Sequence, residues 1–447
     1  MRIDSIHWEI TSKCNLNCRH CFVDKTVNEI KDLPFEESIK IIKRLAGLGV
    51  KKITFSTKEP LIYKNISELI NLCNKYGIIT DMVTNGILLE DIEFAKKIMS
   101  TSLSAIFISI EGITKESNDY IRGKGSFNKI IRAIKNVRRV SNKHLGIQMT
   151  LNKYNMKEVD KIPQFFNELN INSLNIGGIA SQGNALENLE IQITDEEFRK
   201  SQEEIVKAYN SLKNKKYQLN LKSALPIEVA YLNLKTGSNF FTYVPKCSVI
   251  NNCYSLMSNG KIIPCISMFS SKVFKDKMFE IDLDNEFLIL DNTKFNKEVK
   301  SYINIQKRGI CDNCNFNDEC FPCVMTFEGK DSGKTMNKCE IMFSKFEDLL
   351  ENIIKNKELY NVMLNENMIF INNENNYKFK RYDLSNNMLI KTYSCEDIPI
   401  EIINQLYKDK ISLNKFEYLL KGKLGLKKIL AKLIMDSLIK IEEVENV

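Results

Sequence analysis

Residues 6–21 read Ile6-His-Trp-Glu-Ile-Thr11-Ser-Lys-Cys14-Asn-Leu-Asn-Cys18-Arg-His-Cys21, a strand-forming run that opens into a C-x3-C-x2-C loop. Three thiolates make a poor structural zinc set, because closed zinc sites take four protein ligands. Three ligands leave one metal position open, which suits chemistry. A cubane iron–sulfur cluster held by three cysteines keeps one iron free to take a substrate group. The alternative is a zinc site completed by His7 or His20, and His20 is cramped between Cys18 and Cys21.

Outward from this loop, β-branched runs alternate with amphipathic stretches over about the first 180 residues. Strands are predicted at Ile6–Thr11, Lys52–Ser56, Ile79–Thr84, Ala105–Ile110, Gly146–Leu151 and Ser173–Gly177. Helices are predicted near Glu36–Leu48, Ile66–Lys75, Ile92–Met99, Phe127–Val140 and Glu158–Asn167. Strand and helix in this rhythm predict parallel β/α units. The fold class is therefore α/β, a partial (β/α)6 TIM-like barrel, with functional groups at the C-terminal ends of its strands. The cysteine loop lies at that end. Residues 195–235 read as helix and connector. Residues 240–345 are rich in Cys and Asn with little periodicity, a composition that metal would organise. A third region follows, with a helix at Phe343–Asn356, strands at Met368–Ile371, Tyr377–Tyr382 and Met388–Tyr393, and helices at Ile398–Tyr407, Leu413–Leu420 and Leu426–Leu438. The expected domains are 1–235, 236–345 and 346–447, the last a small α+β unit.

The run Cys14-Asn-Leu-Asn-Cys18-Arg-His-Cys21-Phe22 resembles the signature of the radical SAM superfamily. The resemblance implies a [4Fe-4S] cluster on Cys14, Cys18 and Cys21. Its open iron would chelate the amino and carboxylate groups of S-adenosylmethionine, and one electron would release a 5′-deoxyadenosyl radical that abstracts hydrogen. Further positions match in order. Ser56-Thr57-Lys58-Glu59-Pro60 stands where the family has Gly-Gly-Glu-Pro; both glycines are replaced, so a reshaped loop is expected, with the cofactor's amino group at Thr57–Glu59. Thr84-Asn85-Gly86 resembles the family's TNG. Ser109 and Glu111 stand where the family often has Ser-x-Asp-Gly, and Ile121-Arg122-Gly123 resembles its IRG, whose Arg is expected near the cofactor carboxylate. The implied cofactor contacts are Thr57, Lys58, Glu59, Asn85, Ser109, Glu111 and Arg122. No residue identifies an acid–base partner; Glu111, Gln148 and Asn175 line the expected barrel mouth.

The chain has 13 cysteines, too many for structural disulfides in a reducing cytosol. Cys73 and Cys395 stand alone and read as core or surface thiols. The eight behind the barrel, Cys247, Cys253, Cys265, Cys311, Cys314, Cys320, Cys323 and Cys339, resemble the SPASM auxiliary-cluster module, with C-x2-C-x5-C-x2-C where that module usually has x3 in the last spacing. The resemblance implies an inner cluster on Cys247, Cys253, Cys265 and Cys323 and an outer one on Cys311, Cys314, Cys320 and Cys339, for three [4Fe-4S] clusters in all. Full ligation argues for electron transfer by the auxiliary pair; two structural zinc sites are the alternative.

The net charge of +8 is spread along the chain without an Arg-rich tract, so nucleic acid is not an expected partner. No apolar run approaches the roughly 20 residues of a membrane span, and the first ten residues lack a signal-peptide pattern. A cytoplasmic protein is expected. Residues 366–445 resemble the small winged-helix domain that binds leader peptides in ribosomal peptide maturation; a generic helical cap is the other reading. Together these features imply an oxidoreductase, a metal-binding radical SAM enzyme that modifies a ribosomally synthesised precursor peptide. It would form a thioether or carbon–carbon crosslink or another oxidised residue, with ferredoxin or flavodoxin as electron donor. Two alternatives are an anaerobic sulfatase maturase, which usually carries Asp where this chain has Ile266, and an RNA-modifying radical SAM enzyme.

Overall fold

The computed structural model describes residues 3–23, 31–222, 225–238, 240, 247–277, 292–307, 309–314, 317, 320–324, 334–365, 368–373, 376–383, 388–394, 400–420, 425–436 and 438–444, with backbone alone for 368–394. Cys395 lies outside these residues. Two compact units emerge. The first comprises Met1–Ser223, Lys246–Lys307 and Phe321–Gly333, and the second Ala224–Pro245, Arg308–Cys320 and Lys334–Val447.

The first unit is built on a nine-stranded sheet in the order β7-β6-β5-β4-β3-β2-β1-β8-β9. Its strands are β1 Ser5–Trp8, β2 Lys52–Phe55, β3 Ile79–Thr84, β4 Ala105–Ser109, β5 His144–Thr150, β6 Ser173–Gly177, β7 Gln218–Leu221, β8 Cys253–Leu256 and β9 Ile262–Ile263. Every neighbouring pair is parallel except β8 with β9. This is a partial TIM-like core. The helices between strands include Phe35–Gly47, Ile66–Lys75, Ile92–Met99, Ser126–Val140 and Ile162–Glu168. They cover one face, where Ile6, Trp8, Ile53, Phe55, Met82, Ile106, Ile108, Ile147 and Leu174 are buried. Trp8 stacks on Phe55 at 5.6 Å. Because side chains alternate along a strand, the opposite, interior face carries His7, Thr54, Asp81, Ser109, Gln148, Asn175 and Asn220. Register places Ser109, Gln148, Asn175 and Asn220 side by side.

Two four-residue strands of this sheet were not expected from sequence, nor were its two-residue β9 and the strands Tyr360–Leu364, Ile411–Ser412 and Ile439–Glu443 of the second unit. β7 lies inside the stretch read as helix and connector, and β8 inside the cysteine-rich stretch. Each spans four residues, too short for periodicity to declare it; pairing with β6 and with β1 supplies the register. The helix Lys115–Arg122 was also not expected: it is polar on most of its length and begins at the Thr114 cap.

The second unit packs helices Pro226–Thr236, Lys334–Lys355, Ile400–Lys408, Leu413–Leu419 and Leu426–Met435 around a core that includes Phe346, Leu350, Ile402, Phe416, Leu430 and Ile441. A three-stranded sheet joins β10 Tyr360–Leu364 to β14 Ile411–Ser412 and β15 Ile439–Glu443, all antiparallel. A separate antiparallel sheet contains β11 Met368–Asn373, β12 Asn376–Asp383 and β13 Met388–Ser394. From residue 400 the order is helix, strand, helix, helix, strand. Among the described residues, no helix is long and apolar enough to cross a membrane.

Candidate active site

The loop after β1 carries Cys14, Cys18 and Cys21, and each thiol lies within electrostatic reach of the other two. Burial raises the Cys14 thiol and pushes Cys18 up to about 11, so an electrophilic metal would be needed to hold either as a thiolate at neutral pH. Among the described residues no three His, Cys, Asp or Glu side chains converge as a single ion would require. A zinc ion, with Zn–S of about 2.3 Å, needs its thiolates much closer to one another than a cubane does. His20, the alternative fourth ligand, turns its Nε2 to Glu111 Oε1 at 3.3 Å, while His20 Nδ1 has no hydrogen-bond partner among the described residues.

Glu111 is 2% exposed and ties three segments together. It faces His20, accepts from Thr150 N–H at 2.6 Å and lies 3.7 Å from Arg122 Nε. Burial opposes its charge, but His20, Arg122 and the Thr150 N–H together hold its carboxyl below the usual range. Glu111 is thus committed to holding the cysteine loop. Arg122 is 6% exposed, and its Nε and Nη1 lack hydrogen-bond acceptors among the described residues. It also lies within electrostatic reach of Cys18. A buried guanidinium with unused donors beside three thiols fits an incoming carboxylate. The three-cysteine donor set and this guanidinium therefore both fit S-adenosylmethionine on a cluster.

The β2–β3 side of the mouth is organised by Glu59, 1% exposed. It accepts from Thr84 Oγ1 at 2.6 Å, Asn85 N–H at 2.7 Å and Leu61 N–H at 3.0 Å. Asn85 in turn donates to Asn15 Oδ1 at 2.7 Å and reaches Cys14 Sγ at 4.0 Å. Glu59 and Asn85 thus form a second strut under the cysteine loop. Thr57 has φ 84°, the left-handed region that glycine occupies freely and a β-branched residue does not. Thr57→Gly is expected to stabilise the protein by about 1 kcal/mol, read as a rise of a few degrees in Tm. An unchanged Tm would show that the left-handed turn is unstrained.

A third strut was not visible in the sequence. Asn184 Nδ2 donates to Cys18 O at 3.0 Å and to Asn17 Oδ1 at 2.8 Å, and Arg19 pairs with Glu190 at 3.3 Å while lying 4.3 Å over the Tyr120 ring. Gly183 abuts the loop backbone: a Cβ there would sit 2.6 Å from the carbonyl oxygens of Cys21 and Val23. Its φ of 54° also favours glycine. Contacts about 170 residues apart in sequence leave no local pattern, so only the glycine itself was a signal.

The eight remaining clustered cysteines divide between the units. Cys247, Cys253, Cys265 and Cys323 belong to the first, and Cys311, Cys314, Cys320 and Cys339 to the second. Cys247 and Cys253 each lie within electrostatic reach of Cys265. Cys339 lies within reach of Cys311, Cys320 and Cys314, and burial pushes its thiol up to about 12. Cys247 N–H donates to Phe321 O at 2.6 Å, which anchors the segment carrying Cys323. Cys73 is buried in a helix, as expected of a core thiol.

Fold and site together define a partial barrel whose C-terminal mouth carries three neighbouring thiols and a buried guanidinium with unused donors. Residues 8–166 match the family model of the Radical SAM superfamily, and this part of the chain is a radical SAM domain. The family implies S-adenosylmethionine and a [4Fe-4S] cluster. Fe-coproporphyrin III synthase from Methanosarcina barkeri is 36% identical over 157 residues, 35% of this chain and 39% of that protein. Mycofactocin maturase MftC from Mycolicibacterium smegmatis is 27% identical over 154 residues, 34% of this chain and 39% of that protein. The chain thus spans about two fifths of the length of these curated relatives. Streptococcus suis SuiB bound to precursor peptide SuiA is similar in fold, with a TM-score of 0.57 and 16% identity over 73% of each chain.

Proposed function

We propose that this chain is a radical SAM peptide maturase carrying a SPASM-type pair of auxiliary clusters, and that it oxidatively modifies a residue of a ribosomally made peptide. The observation that carries this reading is the division of the auxiliary cysteines. The four expected on the inner cluster fall in one compact unit and the four expected on the outer cluster in the other; Cys247 and Cys253 lie within electrostatic reach of Cys265, and Cys311, Cys314 and Cys320 within reach of Cys339. The relatives include a maturase, MftC, and the fold neighbours include SuiB with a precursor peptide.

When bound, S-adenosylmethionine on a reduced cluster supplies a 5′-deoxyadenosyl radical able to remove hydrogen from an unactivated carbon. The chain's own part is to hold and orient. Cys14, Cys18 and Cys21 hold the cluster, Arg122 takes the cofactor carboxylate, and the Thr57–Glu59 loop, with Lys58, borders its amino group. Ser109, Gln148 and Asn175 line the interior face on which substrate rests. The region 366–445, which resembles a leader-binding winged-helix domain, would bind the leader, and a ferredoxin or flavodoxin would supply electrons. Ile266 packs against Val23, Met257 and Ile263, so no carboxylate stands where a sulfatase maturase would need one. An RNA substrate has only the overall basicity in its favour.

The test is conversion of S-adenosylmethionine to 5′-deoxyadenosine by anaerobically reconstituted, reduced protein, with a Cys14→Ala, Cys18→Ala, Cys21→Ala triple variant as control. Production that is abolished in the variant is the expected result; protein that binds only zinc and makes none would end the reading. Gly183→Ala is expected to displace the cysteine loop and lower iron content from about 12 to about 8 atoms per chain, leaving the auxiliary sets filled. Iron analysis and Mössbauer spectra check this.

A further inference from the structure

Glu9 follows the last residue of β1, and the ladder runs on through it. Its N–H donates to Leu256 O at 2.9 Å, and Ser56 N–H donates to Trp8 O at 3.1 Å. Alternation therefore turns Glu9 to the interior face of His7, away from Ile6 and Trp8. The side chain is 1% exposed, yet neither carboxyl oxygen has a hydrogen-bond partner among the described residues. The charged groups within reach are Lys58 on the β2 loop and Asp32. Asp32 is already engaged by Thr11 Oγ1 at 2.6 Å and Ser12 N–H at 2.7 Å. Ser258, two residues beyond Leu256, has a buried hydroxyl that is likewise without a partner among the described residues. A buried carboxyl with no donor is unfavourable, and natural structures keep such a group where something else completes it.

We propose that Glu9 receives a primary amine of a ligand entering the barrel mouth. An amine supplies several N–H donors to two oxygens that only accept once ionised, and a positive charge would remove the penalty on that ionisation. Two ligands could bring it: S-adenosylmethionine, whose amino group is expected at Thr57–Glu59 beside Glu9 and, held on the iron, would offer N–H donors without a charge of its own, or a peptide amine, which would bring both donors and charge. The inference rests on reading this mouth as the cofactor and substrate site.

The experiment titrates anaerobically reconstituted wild type and Glu9→Gln calorimetrically with four probes. These are S-adenosylmethionine, its analogue with hydrogen in place of the amino group, n-butylamine and 1-butanol. Glu9→Gln is expected to weaken one of the amines about 10-fold or more, the worth of a charge-assisted hydrogen bond. The amine-free counterpart should bind both proteins alike. The amine that shows the loss identifies the source. Glu9→Met, also neutral, should reproduce the pattern if Glu9→Gln folds poorly. Equal effects on amine and amine-free probes, or no effect on either amine, overturn the proposal. Iron-loaded wild type that takes up no S-adenosylmethionine would instead end the cofactor reading, and n-butylamine alone would then decide the role of Glu9.

Discussion

Glu59→Ala is expected to lower stability by about 3–6 kcal/mol and Tm by roughly 10 °C. The substitution removes one acceptor from three buried donors: Thr84 Oγ1, Asn85 N–H and Leu61 N–H. Each donor left without a partner costs about 1–3 kcal/mol, because the pocket excludes water. Burial raises the Glu59 carboxyl above the usual carboxylate range, and the three donors, with Arg122, offset only part of that rise. The damage should not stay local. Asn85 loses the contact that fixes its backbone, and its side chain no longer supports Asn15 and Cys14. Iron retention by the first cysteine set should therefore fall together with Tm. Calorimetry and iron analysis on the same sample check both, and a Tm within a degree of wild type would show that Glu59 is not the strut described here.

The barrel was legible in the sequence where periodicity was long. Ile66–Lys75, Ile92–Met99, Ile79–Thr84 and Ser173–Gly177 occupy the predicted residues. These segments carry several turns or alternations, so burial of one face sets their limits. Gln218–Leu221 and Cys253–Leu256 were not legible, because four residues cannot distinguish strand from connector and only a neighbouring strand decides. At the site, residue types were easier to read than pairings. Glu111, Arg122 and the cysteine loop each stood out, yet nothing in the sequence tied His20 to Glu111. The same holds for Asn184, whose partner is a carbonyl in a loop far away in the chain. Thr57 shows the reverse: the missing glycine was evident, while the left-handed backbone at this position was not.

Burial of Glu9 without a donor also makes the stability of the fold depend on pH. Desolvation, reinforced by Asp32 and opposed by Lys58, raises the Glu9 carboxyl from an ordinary 4.5 to about 8. The folded chain therefore holds a proton that the unfolded chain releases across that window. Stability contributed at this position is complete below pH 4.5 and falls as pH rises toward 8, by roughly 1.4 kcal/mol per unit, or about 5 kcal/mol in all. Glu9→Gln removes the titrating group without changing its volume. The difference in Tm between variant and wild type should thus widen in favour of the variant from pH 5 to pH 8 and level off above. A difference that stays flat across this range would mean that the Glu9 carboxyl ionises normally in the folded chain. A saturating amine should flatten the same profile in wild type alone, since the carboxylate would then be the form the folded protein holds.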